Sequence, residues 1–305
     1  MKTIYDVIII GAGPAGLTTA LYASRGNLKV LILEKLAPGG KLVSQSKIEN
    51  WPGDESIGGA DLAVRMYKHA LKFGTTHLYG DVTKVESKGE FEHLVYTSDE
   101  KVYYAKSVVV ATGMVERKPA DIKNYFDFEG RGVSYCVVCD GPFYKGKPSV
   151  IIGGGNSAVE EGTFLASIAS EVHILVRDAQ FIAEPMLVDE LMTKENVKVY
   201  FETKALELKG EDELQEIVVE QKGEVFSIPT ASLFPYIGFL PATKFLESQK
   251  HILNSQGFLM VDKFNETAQK GIYGVGDVVA KDIRQIVTAA NDGAIVGKIL
   301  TNRIK

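Results

Sequence analysis

Two stretches of the chain share one pattern: a short unbroken apolar run, a glycine-rich turn, then apolar residues returning at helical spacing. In the first, Asp6-Val7-Ile8-Ile9-Ile10 gives way to Gly11-Ala12-Gly13-Pro14-Ala15-Gly16 and then to Leu17–Ser24. A continuous β-branched run predicts a strand buried on both faces, as in a parallel sheet. The alanine- and leucine-rich stretch after it predicts a helix that stops at Gly26-Asn27. Val30–Leu33, ending at Glu34, predicts the next parallel strand. In the second copy, Ser149–Ile152 turns through Gly153-Gly154-Gly155-Asn156-Ser157-Ala158 into a predicted helix over Val159–Ile168, and Val172–Val176 predicts its partner strand. The leading glycines, Gly11 and Gly153, lie 142 residues apart.

Elsewhere the period changes from helical to alternating. Phe91–Thr97 and Val102–Val110 predict a small antiparallel layer, as do Glu213–Val219 and Glu224–Ile228 after the second copy. Tyr273–Asp277 resumes strand character, and Gln285–Arg303 predicts a final helix. The expected fold class is α/β, with two Rossmann-like dinucleotide-binding domains, one inserted into the other. Residues 1–117 and 240–305 are expected to form a discontinuous first domain and residues 118–239 the inserted one. Two domains also suit a length of 305 residues.

Composition removes several function classes. Apolar residues at 45% and charged residues at 24% are the balance of a globular protein. A net charge of −5 gives no reason to expect a nucleic-acid partner. The apolar runs are too short to span a membrane, and strand pattern from residue 4 argues against a secretory leader. With two cysteines, Cys136 and Cys139, a disulfide-stapled scaffold is excluded.

The first glycine turn stands between a strand and a helix, and Glu34 follows Gly11 by 23 residues. Glycines let the backbone approach a pyrophosphate, whose charge then sits at a positive helix N-terminus, while the acid accepts from a ribose diol. The residues expected at a dinucleotide here are Gly11, Gly13, Pro14, Ala15, Gly16 and Glu34. Two more small-residue turns, Ala111-Thr112-Gly113 after a strand and Gly276-Asp277 near the C-terminus, resemble the ATG and GD elements of two-dinucleotide flavoproteins, and point to FAD. The second turn fits GxGxxA, a form common in nicotinamide-dinucleotide domains, through Gly153, Gly155, Asn156, Ser157 and Ala158. The cofactor choice there falls on Arg177 and Asp178: the arginine suits a 2′-phosphate, and the aspartate a free 2′-hydroxyl.

Cys136-Val137-Val138-Cys139-Asp140 is open to three readings: half a zinc site, two buried thiols, or a redox disulfide. Zinc needs four ligands, and the five histidines show no paired ligand spacing, so no metal is expected. Two intervening residues bring the sulfurs into bonding range at a helix start, a placement that lowers a thiol pKa and favours the redox pair. Asp140 is placed to exchange a proton with a thiolate, or else to cap the helix start. Cys139 precedes Gly153 by 14 residues, so the pair belongs to the second nucleotide domain.

With these motifs in place, the chain resembles the low-molecular-weight thioredoxin reductases over essentially its whole length. The resemblance rests on the GxGPAG opening, Gly39-Gly40-Lys41-Leu42, Ile48-Glu49-Asn50-Trp51-Pro52-Gly53 and Ala111-Thr112-Gly113. It continues through Gly130-Arg131-Gly132-Val133-Ser134 before the CxxCDG, then GGGNSAVEE, Gly276-Asp277 and Arg284-Gln285. It implies FAD held also by Gly40, Lys41, Leu42, Asn50, Val82, Arg284, Gln285 and Ile286. Gly238 joins the nicotinamide set. Cys139 would be the thiol that meets the flavin, Cys136 the one that attacks the substrate disulfide, and Asp140 the proton carrier. It further implies a cytoplasmic homodimer acting on thioredoxin or a thioredoxin-like protein, with an inserted domain that turns to present its thiols. Three positions depart from the family pattern. Family members that use NADPH carry HRRxxxR, where this chain has Val176, Arg177, Asp178 and Ile182. The usual glutamine is Lys41, and Val137 and Val138 stand between the cysteines. The expected donor is accordingly NADH rather than NADPH, with an atypical donor such as ferredoxin as the alternative. A ferredoxin–NAD(P) reductase-like enzyme, the flavin subunit of a peroxide reductase and a non-catalytic flavin-binding redox sensor are the competing functions. The first normally lacks this CxxC, the second usually carries an added thioredoxin-like segment, and the sensor needs no thiol–carboxylate pair.

Overall fold

The apolar run that opens the chain forms β1 (Ile4–Ile10), whose last four residues are buried, in a computed structural model that describes residues 2–304. Pro14 then starts α1 (Pro14–Arg25) three residues earlier than the periodicity suggests, since proline suits the first helical position. There follow β2 (Val30–Glu34), α2 (Gly59–Leu71), β3 (Thr76–Tyr79), β4 (Val82–Gly89), β5 (Glu92–Thr97), β6 (Val102–Val110) and β7 (Met114–Glu116). Next come the single-turn α3 (Val137–Asp140), β8 (Pro148–Ile152), α4 (Asn156–Ala166), β9 (Glu171–Leu175), α5 (Pro185–Met192) and β10 (Val197–Tyr200). The strands β11 (Thr203–Gly210), β12 (Leu214–Gln221), β13 (Glu224–Pro229), β14 (Ser232–Pro235) and β15 (Phe239–Pro241) lead to β16 (Ile272–Gly274) and α6 (Ile286–Arg303). The chain divides into two units, one up to Val115 and again from Leu240, the other spanning Glu116–Phe239.

In the first unit β3, β2, β1, β6, β5 and β4 lie side by side in that order, and β16 pairs with β6. The expected antiparallel layer is only half of what Val102–Val110 does. Its first half pairs antiparallel with β5, while along its other edge and at its C-terminal end it runs parallel to β1 and β16. The physical reason lies in burial. Val108, Val109 and Val110 are wholly enclosed on both faces, as in a central parallel strand, and only the earlier residues alternate. Strand character near the C-terminus likewise stops at Gly274, and Gly276–Val278 is a 3₁₀ turn. One core lies between this sheet and α1 and α6, through Val7, Ile9, Leu17, Val109, Val296 and Leu300. Because the parallel strands point the same way, the loops after β1, β2 and β6 gather at one edge, where ligands of open α/β sheets bind.

The second unit repeats the design around a parallel sheet ordered β10-β9-β8-β14, beside an antiparallel sheet β11-β12-β13. Here α4 spans Asn156–Ala166, starting three residues before the expected helix and ending two before its expected stop. Its buried face packs Ala158, Val159 and Leu165 onto Ile151, Ile174 and Phe234. No helix among the described residues is long and apolar enough to cross a membrane. Among them no group of three or more His, Cys, Asp or Glu is placed to hold a metal ion.

Candidate active site

In the first unit, the turn after β1 is pressed onto the end of β6. Gly11 has φ +105°, and a Cβ there would lie 2.5 Å from the Ala111 carbonyl oxygen, so a side chain is excluded by conformation and by space. Gly13, at the N-cap of α1, faces the other way: a Cβ there would meet nothing within 4 Å, and no side chain caps the helix. The turn thus offers open room and free helix N–H groups on its outer side. Pro14, Ala15 and Gly16 continue it as the first turn of α1, with Gly16 folded back onto the Gly11 carbonyl.

Glu34, at the end of β2, accepts from the Ala12 amide at 2.8 Å through Oε2 and from the Leu36 amide at 2.9 Å through Oε1. Each carboxylate oxygen is fixed by one backbone donor and keeps a second lone pair for a hydroxyl, which matches a ribose diol. The Gly39-Gly40 turn closes the other side. Gly39 donates to the Ala12 carbonyl at 2.8 Å, and a Cβ on Gly40 would come 3.2 Å from the Gly13 Cα. Lys41 follows, with its Nζ 4.0 Å from Asp277, and Leu42 is buried beneath. Gly276 has φ +77°, and its amide donates to buried Asp292 at 2.9 Å. Arg284 donates to the Asp277 carbonyl at 3.5 Å and lies 4.7 Å above the Phe258 ring. Asn50 donates to Gln285 at 3.2 Å, and Gln285 caps α6, whose first residue is Ile286. Thr112 donates to the Ala242 carbonyl at 2.8 Å, beside Gly113 at φ +62°. Val82 begins β4, just after the strand in which Tyr79 is paired with Glu34. These residues converge on the loop edge of one sheet, and the open cradle, acid and helix N-terminus fit a dinucleotide such as FAD. Asp292 was not signalled by the sequence, because a buried aspartate inside a helical pattern announces nothing until its partner amide is known.

The second unit carries the second turn. Gly153 has φ +147°, and a Cβ would lie 2.4 Å from the Tyr236 carbonyl; Gly155 is the N-cap of α4. Asn156 is latched to Glu184, donating to its carboxylate at 3.0 Å and accepting its amide at 2.9 Å. Ser157 is half-buried and Ala158 fully buried behind the turn. Arg177 and Asp178 face each other at 3.5 Å, with side chains 79% and 52% exposed, so the arginine's nearest anion is its own neighbour. Ile182 is also exposed, and its amide donates to the Gly154 carbonyl. Gly238, with φ +103°, accepts from the Arg117 amide at 2.9 Å.

In the same unit Cys136 and Cys139 are joined as a disulfide, their Cα atoms 5.3 Å apart. Cys136 is the N-cap of α3, and its Sγ accepts from the Cys139 amide at 3.1 Å. Asp140 ends the single turn α3 and stands at the N-cap position of the 3₁₀ turn Gly141–Tyr144, where its side chain makes no capping bond. Its Oδ2 accepts from the Ser134 hydroxyl at 2.5 Å, and Ser134 Oγ in turn accepts from the Cys136 amide at 3.2 Å. A carboxylate, a hydroxyl and the cysteine backbone form one connected set. Tyr135, just before the pair, is anchored by Glu129, by the Tyr125 hydroxyl at 2.9 Å, and by Lys118 over its ring. Burial, and then its bond to Glu129, push the Tyr135 phenol well up. Phe143, four residues past Cys139, is 76% exposed. Ser134 stands in the sequence only as the end of the Gly130–Ser134 motif, since it acts through a tertiary bond, and Phe143 reads as core until its exposure is known.

A family model for pyridine nucleotide-disulphide oxidoreductases matches residues 5–293. The chain is 54% identical over 303 residues to a thioredoxin reductase of Mycoplasmopsis pulmonis, covering 99% of this chain and 98% of that one. It is 40% identical to a thioredoxin reductase of Bacillus subtilis, covering 100% and 96%. Among solved structures, thioredoxin reductase from Lactococcus lactis superposes with a TM-score of 0.94 at 35% identity, covering 98% and 99%.

Proposed function

The chain belongs to the thioredoxin reductases, within the pyridine nucleotide-disulphide oxidoreductase family, and from that premise we propose that it spends NADH to reduce the disulfide of thioredoxin or a thioredoxin-like protein. The observation that carries this reading is the Cys136–Cys139 disulfide with Asp140 and Ser134 bonded beside it, in the same unit as the second glycine turn. Bound FAD supplies the two-electron carrier between a nicotinamide and a disulfide. Gly11, Gly13, Glu34, Gly40 and the Gly276-Asp277 turn are the residues that would hold it.

The remaining chemistry belongs to the chain. Once the pair is reduced, Cys136 as thiolate attacks a sulfur of the partner's disulfide, and the displaced sulfur leaves as a thiolate. Cys139 then attacks the mixed disulfide, which re-forms the Cys136–Cys139 bond and releases the partner as a dithiol. In this reading Asp140 carries the proton each exchange requires, and the support for it is the bond of its carboxylate to Ser134, which in turn accepts from the Cys136 amide. Exposed Phe143 gives the partner an apolar contact beside the sulfurs. NADH is favoured because Asp178 neutralises Arg177 and would repel a 2′-phosphate. A homodimer in the reducing cytoplasm completes the reading: the dimer is what the family resemblance implies, and a chain with no cysteines beyond this pair suits a reducing compartment.

Anaerobic mixing of the FAD-loaded protein with NADH, NADPH and reduced ferredoxin, each with and without thioredoxin, tests this. Flavin bleaching fastest with NADH, and thioredoxin reduction lost in Cys136→Ser with FAD retained, are the expected results. Faster bleaching by NADPH or ferredoxin removes the donor assignment, and thioredoxin reduction surviving in Cys136→Ser removes the mechanism.

A further inference from the structure

The helix that begins at the second glycine turn also underlies the disulfide. On α4, Ala158, Glu161 and Leu165 recur at helical spacing on one face, and a Cβ on Gly141, in the CxxCDG turn, would lie 3.7 Å from Leu165. Glu161 is therefore a carboxyl set into the apolar layer that supports the cysteines. It is 5% exposed, and its Oε2 is buried without a hydrogen-bond partner. Buried carboxyls normally find partners, so one left open in a core asks for an explanation.

Its surroundings point to one. Tyr236, just after β14, is close enough for the Glu161 charge to act on its phenol, and the Val137 backbone amide, between the two cysteines, faces that phenol. Val137 is itself fully buried in the core that includes Leu165 and Phe234. The other faces packed on α4 present Ile151, Val172, Ile174, Val188 and Leu191, none of which titrates. The ionisable groups acting here are Glu160 on the same helix, Glu184 acting on Glu160, and Glu116 acting on Tyr236; Tyr144, whose ring packs on the same apolar cluster, feels Asp140 and Glu213. The charge acting on Glu161 itself is that of Glu160, so both burial and its neighbour favour the neutral acid.

We propose that Glu161 is a positioning residue that holds a proton beneath the Cys136–Cys139 turn and, through Tyr236 and the Val137 amide, links that proton to the redox state of the pair. This rests on the reading of the pair as redox-active. Reduction breaks the Sγ–Sγ bond and adds two electrons, and with one proton it leaves a thiol and a thiolate. A neutral Glu161 tolerates the new negative charge, whereas an ionised one repels it. Burial lifts the Glu161 carboxyl to about 8, so the change of state falls within the working range of a thiol enzyme.

The test uses full-length FAD-loaded protein equilibrated with dithiothreitol over a range of pH, with its reduced cysteines counted by maleimide labelling. Since the chain has two cysteines, the label reports this pair alone. Glu161→Gln keeps the shape and removes the titration. The ratio of the wild-type to the E161Q reduction constant is expected to fall by roughly threefold or more from about pH 7 to about pH 9, by proton linkage. Parallel curves overturn the proposal. Should E161Q fold poorly, Tyr236→Phe breaks the link while leaving the acid, and the pH-dependent excess must shrink in it too. A protonated-carboxyl infrared band, present at neutral pH in wild type and lost at alkaline pH, is the independent expectation, and its absence refutes the held proton. A pair that dithiothreitol fails to reduce in either protein refutes the redox reading itself, and this inference with it.

Discussion

Asp178→Asn is the sharpest probe of the donor site. In the native chain the Arg177 guanidinium lies 3.5 Å from the Asp178 carboxylate, and both side chains are largely in solvent, at 79% and 52% exposed. A water-like dielectric therefore applies. Two unit charges roughly 5 Å apart in water interact by about 0.8 kcal/mol, so a dianionic 2′-phosphate beside Asp178 loses about 1.7 kcal/mol, or roughly 15-fold in affinity. Removing the aspartate charge lifts that penalty and frees Arg177. For NADH the sign reverses, since a charged acceptor for the ribose 2′-hydroxyl becomes a neutral one, a loss of about 1.5 kcal/mol. The two effects multiply, and the NADPH-to-NADH ratio of kcat/KM should rise about 200-fold.

Steady-state thioredoxin reduction with each nucleotide, at low salt and again at high salt, measures this. Screening should shrink the NADPH gain and leave the NADH loss nearly unchanged, because the first is long-range and the second is a hydrogen bond. An unchanged ratio in D178N would mean that neither Arg177 nor Asp178 reads the 2′ position. A wild-type preference for NADPH would refute the reasoning outright.

Glu34→Gln should weaken FAD by about 10-fold or more, because an amide cannot accept from both Ala12 and Leu36 while also receiving a ribose hydroxyl; fluorescence titration of the apoprotein checks it, and an unchanged Kd would place the dinucleotide elsewhere. Leu165→Ala should destabilise the fold by about 2–5 kcal/mol, as expected for emptying a fully buried leucine site, and should alter maleimide labelling of the reduced cysteines more than it alters nucleotide binding; chemical denaturation and NADH titration together decide it. Glu161→Gln should change how stability follows pH. The folded chain holds the Glu161 proton up to about pH 8 and the unfolded chain releases it near 4.5, so stability drains away as pH rises through that window and levels off above it. Denaturation of wild type and E161Q at several pH values should show the mutant gaining relative stability from about pH 5 to about pH 8, and a constant difference would count against the buried acid.

How much of this was legible in the sequence depends on whether a feature is local. The glycine turns were legible because backbone geometry imposes them: at Gly11 and Gly153 a Cβ would strike a carbonyl of a neighbouring segment, and the order strand–turn–helix says where that happens. The long apolar strands were legible for the same reason. Thr76–Tyr79 was not, because an edge strand with three exposed residues has neither an apolar run nor a clean alternation. Ser232–Pro235 hid behind its proline, which reads as a break although the strand is buried throughout. Val102–Val110 misled in half its length, since one strand serves antiparallel and parallel partners along the same edge. At the site, the spacing of the cysteines and the adjacent Asp140 made a redox pair the expectation, whereas the bonds of Ser134 to Asp140 and to the Cys136 amide, and the burial of Glu161, follow from tertiary packing alone.

The same distinction bears on how one helix of the second unit meets both the second glycine turn and the cysteine segment. An eleven-residue helix rises about 16 Å, so the two ends of α4 are separate enough to serve different ligands and rigid enough to keep their spacing. Its N-terminal turn, with Gly155 and Asn156, continues the second glycine turn, and its later turns, through Leu165, pack beneath the CxxCDG segment. Glu161 stands between them. A carboxyl at that point weakens the core, and an apolar residue of similar size would pack with less penalty, since an unpaired buried polar group costs about 1–3 kcal/mol. Stability alone therefore does not account for it. The proton proposed above, held on the helix that runs from the second glycine turn to beneath the cysteine segment, is the account we offer.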